Sequence, residues 1–225
     1  MKLDNDFFHR DCLDVAPDLV GKILVRKTES GEIMKLRITE TEAYRGTEDK
    51  ACHTSKGRTP RTELLYGKSG IIYVYLCYGI HWLLNVITGE TGFPQGVLIR
   101  ACEGYEGPAR LTKRLMIDKS FNGESFTENE RLWIEDDGLR PDIRTAPRVG
   151  IDYAGEEWAA KPWRFILDKR QKIGYNPSLP LKKLKKASQS RNKQRKSVRY
   201  DVKTAYSEFD KIAPQSYSHV DIIDL

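Results

Sequence analysis

No stretch of this 225-residue chain stays apolar for long. None approaches the roughly 20 consecutive apolar residues that a membrane-spanning helix needs, so no membrane is expected among its partners. The opening MKLDNDFFHRDCLD is charged where a secretory signal would be greasy, and a cytoplasmic protein is expected. Cysteine is scarce and scattered: Cys12, Cys52, Cys77 and Cys102 stand far apart. That spacing offers neither a disulfide framework nor a zinc knuckle, and points to buried free thiols. No internal repeat is visible. Acidic residues are missing from one segment, Lys182 to Arg199, which holds nine of the 38 lysines and arginines. The remaining 29 face 32 acidic residues, so the formal charge of +6 comes from this segment and the body is formally −3. A basic total of this origin is weak support for nucleic-acid binding, because a solvated basic tail produces it as readily as a binding face.

What is present suggests one compact domain with additions: the chain is 39% hydrophobic and 31% charged, enough for one full core and short for two. Asp14 can cap a short helix with Pro17 in its first turn, ended by Gly21. KILVRK and MKLRITETEAY then read as a hairpin bent at Thr28 to Gly31. Gly46 to Gly70 is a long loop with room for a short helical turn, and loops of that length in compact domains usually carry function. IIYVYLCY and HWLLNVI read as strands around Tyr78-Gly79, and QGVLIRACE as another. GPARLTKRLMI reads as a helix with Pro108 at its first position and Leu111 and Leu115 one turn apart. PRVGIDYAGEEWAAKPWRFIL combines a glycine turn with a last strand. From about Lys172 the pattern becomes that of a basic tail. Clustered strands interrupted by helices predict a mixed α/β (α+β) fold, an antiparallel sheet with flanking helices.

Several residues invite chemistry. In the strand ITETEAY, period two puts Glu40, Glu42 and Tyr44 on one face. Two carboxylates and a phenol suit a site better than a core, although ETE alone reads more readily as a solvated strand face. A carboxylate near another one, or against apolar walls, holds its proton more tightly and can act as a general base if a cation keeps it ionised. Tyr73, Tyr75 and Cys77 share the other strand's face. Tyr78 immediately precedes the turn glycine Gly79, where a large ring has little of its own fold to pack on; such a wedge can enter a base stack from the minor groove. Asn85 lies in an apolar run where its amide must find partners. His53, Arg58 and Arg61 in the long loop, and Arg100 at a strand end, read on their own as exposed side chains.

In order, the motifs ITETEAYRGTEDKACH, GRTPRT, YVYLCYGIHWLLN, GVLIRA, GPARL and PRVGIDYAGEEW resemble the alkyladenine (3-methyladenine, or methylpurine) DNA glycosylase family. The resemblance runs from Asp6 to about Phe165. It implies a curved antiparallel sheet with a protruding β-hairpin that enters the DNA minor groove. It also implies a set of roles: Glu42 as general base, Arg100 holding the attacking water, and Tyr44, His53 and Tyr75 enclosing a flipped base. Asn85 would crowd the amino group of normal guanine, Tyr78 would intercalate, and Ile80, His81, Arg58 and Arg61 would contact DNA. The implied substrates are 3-methyladenine and 7-methylguanine, with hypoxanthine and ethenoadenine as further candidates. The implied partner is damaged double-stranded DNA, bound by a monomer without cofactor or metal. No lysine resembles a Schiff-base nucleophile, so a monofunctional enzyme without lyase activity is expected, formed by residues 1–171 with 172–225 as a basic extension. Two other classes stay open: a noncatalytic nucleic-acid-binding protein using the tail and stacking tyrosines, and a carboxylate hydrolase of nucleosides or sugars.

Overall fold

The computed structural model describes residues 1–168. The basic extension expected from Lys172 to Leu225 lies outside the described residues. The frame of the described residues is set by two consecutive strands, β1 (Ile23–Lys27) and β2 (Ile33–Arg45). β2 is long enough to serve two neighbours in succession. Its first half pairs with β1, Ile33 opposite Lys27 and Arg37 opposite Ile23. Its second half pairs with β5 (Gln95–Cys102), Ala43 opposite Val97 and Tyr44 opposite Gly96. The two strands expected around Tyr78-Gly79 follow as β3 (Ile72–Cys77) and β4 (His81–Ile87), paired antiparallel with Tyr73 opposite Asn85 and Cys77 opposite His81. The order β3-β4-β5-β2-β1-β6 is completed by β6 (Leu132–Glu135), with β8 (Arg164–Leu167) on β2 and β7 (Ile143–Ala146) on β8. Every pairing is antiparallel and the sheet curls into a half-barrel, so the mixed α/β expectation holds.

Alternation gives this sheet two unlike faces. Thr41 and Ala43 on β2, Ile72 and Val74 on β3, Leu84 and Val86 on β4, and Val97 and Ile99 on β5 are all buried on one of them. Their apolar members join a single core with residues from α2 (Cys12–Leu19) and α3 (Pro108–Leu115). Each fully buried leucine there, such as Leu84 or Leu111, stabilises the fold by roughly 1.5–3 kcal/mol. The other face carries Glu42, Tyr44, Tyr73, Tyr75, Asn85 and Arg100.

Helix ends agree with the sequence in one case and correct it in another. Pro108 is the first residue of α3 after Gly107, whose φ of 93° suits a glycine, and Leu111 and Leu115 are fully buried. The Thr112 hydroxyl donates to Trp82 O at 2.7 Å, tying α3 to β4. α2, however, starts three residues earlier than Asp14 suggested. Asp11 is the cap, accepting from Leu13 N at 3.0 Å, and Asp14 lies within the first turn, where its charge still favours the helix dipole. Pro17 therefore sits in the second turn. The two remaining helices are short, α1 (Asn5–Phe8) and α4 (Glu156–Ala160). Within the long loop, 3₁₀ turns form at His53–Lys56 and Glu63–Tyr66.

Candidate active site

The sheet register assembles the polar face. Asn85 pairs with Leu98, and Leu98 with Glu42, so Asn85 and Glu42 stand on one row two strand spacings, about 10 Å, apart. The next row runs from Ile87 through Gly96 to Tyr44. Tyr73, opposite Asn85, extends that row onto β3, Tyr75 follows two residues on along the same face, and Arg100 follows Leu98 by two on β5. Side chains scattered from position 42 to position 100 thus share one patch because each lies at the same phase of its strand.

Glu42 is fully buried, yet three groups address its charge. Val149 N–H donates to Oε1 at 2.9 Å, the Tyr44 hydroxyl donates to Oε2 at 3.0 Å, and Arg100 Nη1 lies 3.6 Å from Oε1. Burial raises the carboxyl's affinity for its proton; Arg100, the Val149 amide and the Tyr44 hydroxyl pull it back, and Glu40 adds to the rise. The product is a carboxylate more basic than an exposed one and still supplied with partners for its ionised form. Arg100 is held more closely by Glu40, Nε to Oε1 at 3.0 Å.

Aromatic rings border this group. The His53 ring stands edge-on to Tyr75, centroids 4.5 Å apart, and Tyr73 and Tyr75 are 5.5 Å apart. His53 Nδ1 lies 3.0 Å from the Tyr73 hydroxyl. Burial, reinforced by the nearby Arg61 cation, lowers the imidazole from its usual 6.5 to about 4, so it is neutral at physiological pH. Loop placement alone suggested an exposed histidine; the 3₁₀ turn carries it inward instead. Tyr44 is raised well above an ordinary phenol by burial first, then by Glu42 and Tyr75. Asn85, 7% exposed, donates from Nδ2 to Tyr73 O at 3.1 Å and Leu83 O at 3.4 Å.

The hairpin tip differs from this lined face. Tyr78 is 74% exposed and Ile80 71% exposed, with Tyr78 in the left-handed region at φ 51° and Gly79 at φ 70°. Strict alternation would turn Tyr78 away from Tyr75, but the left-handed residue breaks that parity. Tyr78 and Tyr75 both lie close enough to Tyr153 to influence phenol ionisation there or be influenced by it. His81 is exposed beside the tip. Arg61 is exposed, with its guanidinium 5.9 Å from the Tyr75 centroid. Arg58 is already engaged, by Glu63 at 2.7 and 2.5 Å and by the Tyr66 ring at 4.8 Å. Among the described residues, no group of three or more His, Cys, Asp or Glu could hold a metal ion, and no helix is long and apolar enough to cross a membrane.

Residues 6–106 and 103–171 of the chain match the methylpurine-DNA glycosylase family. The chain belongs to that family. A relative from Desulfitobacterium hafniense is 43% identical over 200 residues, covering 76% of this chain and 98% of its own. One from Psychrobacter cryohalolentis is 42% identical over 186 residues (70% and 86%), and one from Methanocella arvoryzae 42% over 183 residues (72% and 90%). All three are named as candidate 3-methyladenine DNA glycosylases. The family match ends at residue 171, next to the start of the expected basic extension.

In this member of the methylpurine-DNA glycosylase family, three structural participants were not singled out from the sequence. Val149 supplies the backbone donor to Glu42. Arg148 and Asp49 form a wholly buried pair, Nη1 to Oδ2 at 2.6 Å and Nη2 to Oδ1 at 2.8 Å. The Arg148 guanidinium also lies 4.8 Å from the Tyr44 ring centroid and donates to Ala43 O at 3.0 Å. The motif PRVG contains both Arg148 and Val149, but nothing in its spacing names partners about 100 positions upstream.

Proposed function

We propose that the protein is a DNA glycosylase that takes alkylated purines out of duplex DNA and hydrolyses their N-glycosidic bonds, leaving abasic sites. Family membership and the names of its relatives support the class. The observation that carries the mechanism is Glu42: fully buried, flanked by Arg100, and sharing one sheet face with Tyr44, Tyr75 and Asn85. A binding module would gain nothing from a carboxylate placed where burial penalises its charge; a general base does.

In this reading the target nucleotide is everted because its scissile bond is unreachable within the stack, and damaged bases are least expensive to extrude. Tyr78 enters the duplex from the minor groove and fills the gap, aided by Ile80 and His81, with Arg61 toward the phosphates and Arg58 available only if it leaves Glu63. The base lies among Tyr44, His53 and Tyr75. A purine methylated at N3 or N7 is cationic, and electron-rich rings beside a neutral imidazole favour it. Asn85, its amide anchored to backbone carbonyls, presents bulk toward the amino group of guanine. Glu42 takes a proton from water while the water oxygen bonds to the sugar carbon; the glycosidic electron pair leaves with the purine and neutralises its charge. Arg100 and the carboxylate stabilise the charge that develops. Neutral lesions such as hypoxanthine and ethenoadenine need a proton as they leave. No lysine takes part, so the product strand is not cleaved. The protein acts as a monomer on chromosomal DNA in the cytoplasm, with residues 1–171 as the catalytic body.

Incubation with methylated duplex DNA tests this. Free 3-methyladenine and 7-methylguanine should appear, with strand breaks only after alkali. Retention of both bases would leave a noncatalytic binder, and release from free nucleosides as fast as from duplex would indicate a hydrolase of small substrates.

A further inference from the structure

The ladder between β2 and β5 breaks at one place, and Arg100 sits in the break. Thr41 opposite Ile99 and Ile38 opposite Cys102 define a register that would set Glu40 against Arg100; Glu40 pairs with Ala101 instead. Irregularities of this kind re-aim side chains and recur beside active sites. Here Arg100 reaches two carboxylates of one strand, with Nε 3.0 Å from Glu40 Oε1 and Nη1 3.6 Å from Glu42 Oε1. Glu40 is the closer partner. Its Oε1 also receives Arg164 Nη1 at 3.0 Å, and Arg164 Nε donates to Pro147 O at 2.7 Å. Two residues on, Val149 N–H donates to Glu42. The contacts close into a ring from Glu42 through Arg100, Glu40, Arg164 and the 147–149 segment back to Glu42, and Glu40 grips both arginines.

We propose that Glu40 is a positioning residue for base release: by holding Arg100 to its own carboxylate, it keeps that guanidinium beside Glu42 without clamping onto it, leaving a Glu42 oxygen able to take the proton of water. This rests on the glycosylase reading above. An arginine free to choose a single carboxylate closes to a short bidentate pair. Clamped in that way, Glu42 would be a weaker base with its lone pairs occupied. Two consequences of losing the Glu40 charge have the same sign. A like charge beside Glu42 disappears, and Arg100 is released toward it; both favour the ionised form. Arg164, opposite Glu42 across the β8 pairing, loses the same Glu40 partner, and a cation freed there acts in the same direction; Arg148 before Val149 and the phenols of Tyr44 and Tyr75 stay in place.

The test is single-turnover release of alkylpurine from methylated duplex by the full chain, followed from about pH 4.5 to 8.5 and compared with the pH span over which carboxylates titrate. For Glu40→Gln the plateau rate should fall on the order of 10- to 100-fold, the scale of a misplaced catalytic group. At the same time the acid limb should move to lower pH. Glu40→Asp, with its carboxylate on a shorter stem, should show a smaller displacement in the same direction, and it carries the test by itself if circular dichroism finds the Gln variant unfolded. A purely structural role would lower the rate without moving the limb. An acid limb that stays in place or moves upward overturns the proposal. Wild-type protein that releases no base at any pH would instead overturn the glycosylase reading, so the two failures are distinct.

Discussion

Replacing Arg148 by methionine should lower the stability of the fold by about 3–5 kcal/mol, the scale of stripping one partner from a buried ion pair. Both side chains of the Arg148–Asp49 pair are 0% exposed, and their two hydrogen bonds measure 2.6 and 2.8 Å. Methionine fills much of the volume but leaves the Asp49 charge without its cation. Asp49 keeps two backbone donors, Ala51 N at 3.0 Å and Arg45 N at 3.2 Å, so the carboxylate is left underpaired and not wholly unsatisfied. Ala43 O loses a donor as well. For a chain of this size each kcal/mol moves Tm by about 2–4 °C, which gives a fall of roughly 6–20 °C in a calorimetric or circular-dichroism melt. The double variant Asp49→Asn/Arg148→Met retains an acceptor for the backbone and buries no charge; it should recover at least half of the loss. A single-variant loss under about 1 kcal/mol, an ordinary surface effect, would refute the argument. So would a double variant no more stable than the single one.

Three further outcomes follow from the site. Tyr78→Ser should weaken binding to damaged duplex by about 1–3 kcal/mol, the scale of lost aromatic stacking, with Tm unchanged because the ring is 74% exposed; equal affinity would make Tyr78 an ordinary surface residue. Asn85→Ser should raise excision of undamaged guanine relative to methylated bases, and an unaltered ratio would leave the amide a purely structural role through Tyr73 O and Leu83 O. His53 should titrate near pH 4 by NMR. Because the folded value lies below the unfolded 6.5, the unfolded chain takes up the proton first, so His53 makes stability fall as pH drops from about 6.5 toward 4. A titration near 6.5 would mean the ring is solvated.

Much of this arrangement was legible before any coordinates. Period two placed Glu40, Glu42 and Tyr44 together and Tyr73 with Tyr75, and the strand pairing then joined those faces. Pro108 announced its helix, and Gly79 its turn. Alternation reports which residues share a face of one strand, not which strands become neighbours, so Asn85 and Glu42 met only through the β4-β5-β2 register. Asp14 read as a cap because Asp11 makes the same signal three residues earlier. β7 stayed hidden because Ile143–Ala146 is largely exposed and carries no alternation. The Arg148–Asp49 pair and the Val149 amide join segments 99 and 107 positions apart, and a backbone donor has no side-chain signature to read. His53 could not be told from a solvated loop histidine until the 3₁₀ turn set it against Tyr75.

The central claim is that Glu42 activates water. Glu42→Gln retains the side chain's size, and the Tyr44 hydroxyl can turn to accept from the new amide. Measured side by side with wild type on methylated duplex, it should bind with nearly unchanged Kd while single-turnover base release falls by roughly 10²–10⁴-fold, the contribution of a positioned general base. Release by Glu42→Gln at the wild-type rate would contradict the account.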